Sequence, residues 1–309
     1  MKAKAPSKLG SVLAAGVARV QAATPGEARL KCEWLASRIL GCARLELSAR
    51  KDQILSEPQV RQIAAGVARL AAGEPLQYIQ GEAEFMGRVF ICDRRALIPR
   101  PETEQLTAWM LEDAALWQPP APLIADVGAG SGCIVISLAL ERPQGRYVAT
   151  DTSAAALALA RANAARHGTA ARIRFIACDL LSAVAPKTTF QHSAECWNVV
   201  TAGAASFAGL DAVVSNPPYV RTADWASLDR GVRDFEPRAA LDGGAGGLTI
   251  VRRLMAQAVQ ALKPGGVFFL EIGEDQGAAV MELASAAGFR ETQLRQDLAG
   301  KDRMMRAVK

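Results

Sequence analysis

The sequence predicts an α/β fold: a mainly parallel sheet with helices on both faces, behind a small N-terminal helical domain. Three observations carry this. From about residue 101 short apolar strands alternate with helical stretches. A glycine-rich strand-to-helix turn, Asp126-Val127-Gly128-Ala129-Gly130-Ser131-Gly132, sits early in that alternation. The first 80 residues show helical periodicity instead. A length of 309 residues suits about two domains at ~150 residues each. We divide the chain into a helical domain at 1–80, a hairpin linker at 81–100 and an α/β domain at 101–309.

In the first part, Thr24-Pro25-Gly26-Glu27 has a capping-box pattern with proline at the first helical position. Trp34, Leu35, Ile39 and Leu40 follow at helical spacing, and Gly41 ends the helix. Ser56-Glu57-Pro58 opens another helix, with Val60, Ile63, Val67 and Leu70 on one face and Gly73 as its stop. These stripes read as core. Gly81, Gly87 and β-like pieces at Tyr78-Ile79 and Arg88-Val89-Phe90-Ile91 form the hairpin connector.

Strands are expected at Leu123–Val127, Arg146–Asp151, Ile173–Ala177, Leu210–Val214 and Val267–Glu271, the last after the turn Lys263-Pro264-Gly265-Gly266. Helices follow the first two, through Ile134, Val135 and Leu138, and from Ala154 to His167. In open parallel sheets ligands bind beyond the carboxyl ends of the strands. Chemistry is therefore expected where Asp126, Asp151, Asp179 and Asn216 emerge.

Half the residues are hydrophobic and 22% are charged, which excludes a disordered chain, a collagen-like repeat and a small disulfide scaffold. Apolar runs such as Val267–Leu270 fall far short of the ~20 residues that span a bilayer. The N-terminal Lys2, Lys4 and Lys8 precede an apolar run that Arg19 and Gln21 break, so we read a cytoplasmic start with no signal peptide. Six cysteines (Cys32, Cys42, Cys92, Cys133, Cys178, Cys196) include no C-x-x-C pair and the histidines are only His167 and His192. No metal site is expected. The net charge of +5 is concentrated at the front: residues 1–60 hold ten Lys/Arg against five Asp/Glu, and the rest hold 26 of each. A basic front end can face an acidic partner, although a solvated helical face explains the same excess.

Two motifs carry chemistry. Glycines in the Asp126–Gly132 turn let the backbone lie against a ligand without a Cβ clash. Asp151, at the end of the next strand, can accept hydrogen bonds from both ribose hydroxyls of a nucleoside cofactor; the bland alternative is a helix cap, since Thr152-Ser153 follow. The pair does not choose between a dinucleotide and S-adenosylmethionine. The second motif, Asn216-Pro217-Pro218-Tyr219, follows a strand directly. Its prolines fix φ and remove two donors, leaving a stiff segment that presents carbonyls. With the Asn216 side-chain oxygen it forms an acceptor pair suited to a planar NH₂ group, with the Tyr219 ring to stack on its face. The bland alternative is a proline-rich loop whose asparagine caps the next turn. Taking both N–H hydrogens moves electron density onto an otherwise poor nitrogen nucleophile and holds it in line with an electrophilic methyl. No strong general base is needed.

Seven segments resemble a known family: Gly73-Glu74-Pro75-Leu76-Gln77-Tyr78-Ile79-Gln80-Gly81, Leu97-Ile98-Pro99-Arg100-Pro101-Glu102-Thr103-Glu104, the glycine motif, Asn216-Pro217-Pro218-Tyr219, Glu236–Leu241 with Gly243-Gly244, Glu271-Ile272-Gly273 with Gln276, and Asp297–Gly300. From about residue 25 to 306 the chain is similar to the peptide chain release factor glutamine N5-methyltransferases, the HemK/PrmC family. The resemblance implies a Rossmann-like class I methyltransferase domain, S-adenosyl-L-methionine as donor, and the glutamine of the Gly-Gly-Gln motif in class 1 peptide chain release factors as acceptor. The short apolar runs predict no membrane partner, and the balanced charge outside residues 1–60 argues against direct nucleic-acid binding. By motif match Gly128, Ala129, Gly130, Ser131, Gly132 and Asp151 hold the cofactor, Asp179 and Leu180 line the adenine, and Asn216, Pro217, Pro218 and Tyr219 hold the glutamine amide. Asn216, Pro217 and Tyr219 are the catalytic candidates, with Asn216 also beside the cofactor. Arg100, Pro101, Glu102 and Thr103 border the site in this resemblance; a rigid linker with Glu102 capping the next helix is the alternative for these four. The chain departs from the family between Asp179 and Asn216, where 36 residues intervene. We read residues 185–208 as a surface loop insertion. The alternatives are an adenine N6-methyltransferase of nucleic acid, which shares Asn-Pro-Pro-Tyr but needs a broad basic groove, a ribosomal-protein glutamine methyltransferase, and a binding module without turnover.

Overall fold

The computed structural model describes residues 7–24, 26–184 and 209–309. The expected insertion at 185–208 lies outside these residues, as do Pro25 and Cys196. The chain divides into two compact units, Met1–Glu82 with Asp229–Phe235, and Ala83–Leu228 with Glu236–Lys309.

The first unit holds α1 (Leu9–Ala23), α2 (Ala28–Leu40), α3 (Glu57–Ala71) and the short α4 (Leu76–Gln80). Leu9, Val20, Cys32, Leu35, Ile63, Val67 and Leu70 form its core. Helix α3 starts as expected: the Ser56 hydroxyl accepts from the Gln59 N–H, and the Gln59 side chain accepts from the Ser56 N–H at 2.9 Å. Gly41, at φ 62°, closes α2. Three expectations fail. Thr24 ends α1, its hydroxyl donating back to the Val20 carbonyl, and Glu27 precedes α2 in a left-handed conformation with no side-chain cap. Trp34 leaves the core stripe and stands 47% exposed, with the Arg44 guanidinium over its ring. Tyr78-Ile79 is helical, because Pro75 starts and left-handed Gly81 stops a single turn that buries Tyr78.

The second unit opens with the hairpin β1 (Glu82–Phe85) and β2 (Arg88–Ile91), turning at Met86 and Gly87, both at positive φ. Then come α5 (Pro101–Glu112), β3 (Leu123–Val127), α6 (Cys133–Glu141), β4 (Arg146–Asp151), α7 (Ala154–Arg166), β5 (Ile173–Ala177) and β6 (Leu210–Ser215). Helix α8 (Arg230–Phe235) belongs to the first unit; α9 (Thr249–Ala261), β7 (Leu262–Glu271), α10 (Gly277–Ala287), β8 (Glu291–Gln296) and β9 (Asp302–Val308) complete the second.

Seven strands form one sheet in the order β5-β4-β3-β6-β7-β9-β8. The first five are parallel, and β9 lies antiparallel between β7 and β8. The antiparallel pair is an addition to the expected sheet. Side chains alternate across it: Leu123, Ala125, Val127, Phe268 and Leu270 pack on one face, and Ile124, Val267 and Phe269 on the other. The expected turn Lys263–Gly266 is a bulge within β7. Leu210 pairs with Leu262, but Ala212 pairs with Val267, so the intervening residues loop out. From β3 the chain winds outward through β4 and β5, then crosses back to β6 on the other side of β3. That reversal leaves a crevice at the carboxyl ends of β3 and β6.

Candidate active site

The crevice holds a cavity of about 280 Å³. Beyond β3, the N–H groups of Gly128 and Ala129 both donate to the Thr150 carbonyl at the end of β4. Gly128 takes φ +73°, and a Cβ there would meet nothing within 4 Å, so the backbone faces open space. Gly132 is glycine for another reason: a Cβ would lie 2.9 Å from Ile136 and 3.1 Å from Ala160, where α6 and α7 pack. Asp151 fixes the loop. Its Oδ2 accepts from Gly130 N–H at 3.0 Å and its Oδ1 from Ser153 N–H at 2.8 Å. Burial raises its carboxyl above the usual range.

Gly128 to Ser131, Asp151, Asp179, Leu180, Asn216 and Pro218 all line this cavity, as do Arg100 and Thr103. Gly132, Pro217 and Tyr219 are not among the lining residues. The Asp179 carboxylate pairs with Arg253. Leu180 is held at φ +52°, a region uncommon for a side chain of its size. Pro237, Ala239, Ala240 and Ile250 also line the cavity; the Glu236–Leu241 motif marked the first three without indicating a place. Glu236 is buried, accepts from the Ile98 N–H at 3.1 Å and pairs with Arg100. It thereby secures the chain segment that borders the site.

Asp126 lies beneath the glycine turn. Its Oδ2 accepts from Val135 N–H at 3.2 Å, whereas its Oδ1 has no partner. Burial, with Asp151 adding to it, pushes the carboxyl up to about 7.

Behind Asn216 lies Glu271, which sequence reasoning did not place at the site, joined to it through Thr103, expected only at the border. Asn216 Nδ2 donates to the Thr103 hydroxyl at 2.9 Å, and that hydroxyl donates to Glu271 Oε2 at 2.6 Å. The Tyr219 hydroxyl donates to Glu271 Oε1 at 3.4 Å. Glu271 ends β7, beside the end of β6. Burial raises its carboxyl to about 7, and the Tyr219 phenol is likewise pushed up by burial and by Glu271. Tyr219 is thus tied by its hydroxyl. Glycines hold the loop close to its neighbours. A Cβ on Gly243 would lie 2.7 Å from the Pro218 carbonyl oxygen, and one on Gly247 would lie 2.4 Å from that of Tyr219. Gln276 Nε2 donates to the same Tyr219 oxygen at 3.0 Å. Among the described residues no cluster of His, Cys, Asp or Glu could hold a metal ion.

Residues 11–81 match the PrmC N-terminal domain family and residues 114–192 the methyltransferase small domain family. The release factor glutamine methyltransferase of Nitratidesulfovibrio vulgaris is 38% identical over 93% of this chain and 90% of its own. That of Moorella thermoacetica is 39% identical over 97% of this chain and 98% of its own. The chain belongs to the release factor glutamine methyltransferase family. It is an enzyme, a methyltransferase, on a Rossmann-like class I fold. The relatives span nearly all of this chain, helical unit included, which places the family relationship across both units. Among the described residues no helix is long and apolar enough to cross a membrane.

Proposed function

We propose that this chain transfers a methyl group from S-adenosylmethionine to the side-chain amide nitrogen (N5) of the glutamine in the Gly-Gly-Gln motif of class 1 peptide chain release factors. The observation that carries this is the Asn216-Pro217-Pro218-Tyr219 segment at the end of β6, with Asn216 opening on the cavity that the glycine turn also lines.

The cavity suits the donor. The exposed backbone at Gly128 and the Asp151 carboxylate beside it match a nucleoside with a vicinal diol, whose hydroxyls a carboxylate can accept from. S-adenosylmethionine, when bound, supplies a methyl group on a sulfonium, open to in-line attack. The protein's part is to prepare the nitrogen. The Asn216 oxygen and the Pro217 carbonyl each take one amide hydrogen, which pushes electron density toward nitrogen and fixes its direction. Prolines at 217 and 218 carry no N–H, so this stretch offers the amide only acceptors. The nitrogen sheds a proton readily once methylated, so no histidine is required.

The first unit serves recognition in this reading. Among the described residues none of the cavity's lining comes from it, while it carries the basic excess and exposes Trp34, Leu45 and Ile54. The test is mass spectrometry of a release factor after incubation with the full chain and S-adenosylmethionine. One methyl on the Gly-Gly-Gln glutamine is expected; methylation of nucleic acid with an unmodified release factor would overturn the reading. Asn216→Ala should slow single-turnover transfer by ~10²–10³-fold, by analogy with loss of one oriented oxyanion donor, with cofactor affinity near that of the parent.

A further inference from the structure

We propose that Thr103 and Glu271 are positioning residues that set which way the Asn216 amide faces, so that its oxygen and not its nitrogen meets the substrate. The inference rests on the acceptor reading above and deepens it.

The two ends of an asparagine side chain are nearly the same size, and only the oxygen can accept an amide hydrogen. Something must therefore choose between two orientations. A threonine hydroxyl has one hydrogen to give. Thr103 gives it to Glu271 at 2.6 Å, so toward Asn216, at 2.9 Å, it can only accept. Asn216 must then turn Nδ2 to Thr103 and Oδ1 away from it. The direction of this chain is set at its far end, because an ionised carboxylate accepts and never donates.

The arrangement is built to hold. Thr103 and Glu271 are 3% and 1% exposed. Thr103 sits in the first turn of α5, and its carbonyl accepts from the Thr107 hydroxyl. Glu271 also receives the Tyr219 hydroxyl, so one carboxylate ties both ends of Asn216-Pro217-Pro218-Tyr219. The groups around Glu271 are Glu102 from α5, Cys133 from α6, Arg303 from β9 and Tyr219. Above about pH 7 the carboxylate is ionised and its accepting role is fixed. Thr103 and Glu271 each lie in a stretch set apart in the sequence, Leu97–Glu104 and Glu271–Gly273, whose purpose their local pattern does not reveal.

Single-turnover methylation with the full chain at a pH well above 7 tests this. Thr103→Val and Glu271→Gln should each lower the rate ~10-fold or more, the range seen when groups behind an active-site ligand are removed. Cofactor affinity should stay within about twofold and Thr103→Ser should recover most of the rate. The deciding measurement is Thr103→Val made in an Asn216→Ala protein. A residue that acts only through Asn216 costs nothing further there, whereas a residue that merely supports the fold costs the same in both backgrounds. Parent-like rates for Thr103→Val, or an undiminished loss in the Asn216→Ala background, overturn the relay while leaving the acceptor reading intact. A parent-like rate for Asn216→Ala overturns the acceptor reading itself.

Discussion

Replacing Asp126 by asparagine should flatten the dependence of stability on pH. In the folded protein this carboxyl is fully buried and raised from 3.8 to about 7. A folded state that holds a proton more tightly than the unfolded chain is favoured at low pH. The contribution is whole below the unfolded value and disappears as pH rises through the folded one. About three units at 1.36 kcal/mol each amount to about 4 kcal/mol across the full window. Between about pH 5 and pH 8, the range open to experiment, the loss comes to about 3 kcal/mol. Asparagine keeps the acceptor for Val135 N–H but places an NH₂ where Oδ1 lacks a partner. That substitution has its own cost, ~1–3 kcal/mol for a buried unsatisfied group, but the cost is the same at every pH. The difference between parent and variant, from urea unfolding at several pH values, therefore isolates the titration. Glu271, raised in the same direction, is present in both proteins and cancels. Asp126→Asn should be the weaker protein or near parity at pH 5 and should gain on the parent by about 3 kcal/mol by pH 8. A difference that does not change with pH would mean that the Asp126 carboxyl is already ionised at pH 5, and the burial argument would be refuted.

Gly247→Ala should lower the thermal midpoint and slow methylation together. A left-handed alanine alone costs ~1–2 kcal/mol, and its Cβ would press on the Tyr219 carbonyl oxygen from 2.4 Å; retained parent rates would show that the loop yields freely. Phe269→Ala removes a fully buried ring packed edge-on to Trp109 at 5.7 Å and should cost ~3–5 kcal/mol in denaturant unfolding. Ser56→Ala removes the capping hydroxyl of α3 and should cost ~1 kcal/mol, read as lost amide-exchange protection in the first turn of that helix with methylation rate unchanged.

The five parallel strands were legible because each holds a short apolar run bounded by turn residues; of the helices between them α7 keeps a 3.6-residue period, whereas α6 is buried from Cys133 to Ala139. Strands β8 and β9 were not. Glu291–Gln296 is a largely solvated edge strand, and its polar sequence lacks the apolar run that marked the others. Tyr78-Ile79 misled because β-prone residues sat in a turn whose shape Pro75 and Gly81 decide. At the site, the glycine turn, Asp151 and Asn216 could be read because each directly follows a strand. The resemblance put Thr103 at the border, but its link to Glu271 and Asn216 could not be read: Thr103 and Glu271 meet across 168 residues of sequence, and Thr103 meets Asn216 across 113. Ile98 and Glu236 meet across 138. Sequence proximity reports what a residue does to its neighbours, and these residues act on partners that only the fold brings near.

The same contacts favour the acceptor reading of Asn-Pro-Pro-Tyr over the capping one. In a proline-rich loop whose asparagine caps a turn, the side chain would accept from a backbone N–H two or three residues ahead. Asn216 instead donates to a side chain on α5. Prolines give a loop no N–H groups with which to fasten itself, so this one is fastened from outside. Gln276 holds the Tyr219 oxygen, Val220 N–H donates to the Leu241 carbonyl at 2.9 Å, and Gly243 N–H donates to the Val220 carbonyl at 2.8 Å. The close approach of Gly243 and Gly247 confines the Pro218 and Tyr219 carbonyls further. A surface turn needs none of this. A group of acceptors that must keep one direction while a substrate amide enters needs all of it, because acceptors aimed beforehand require no reorganisation when the nitrogen attacks.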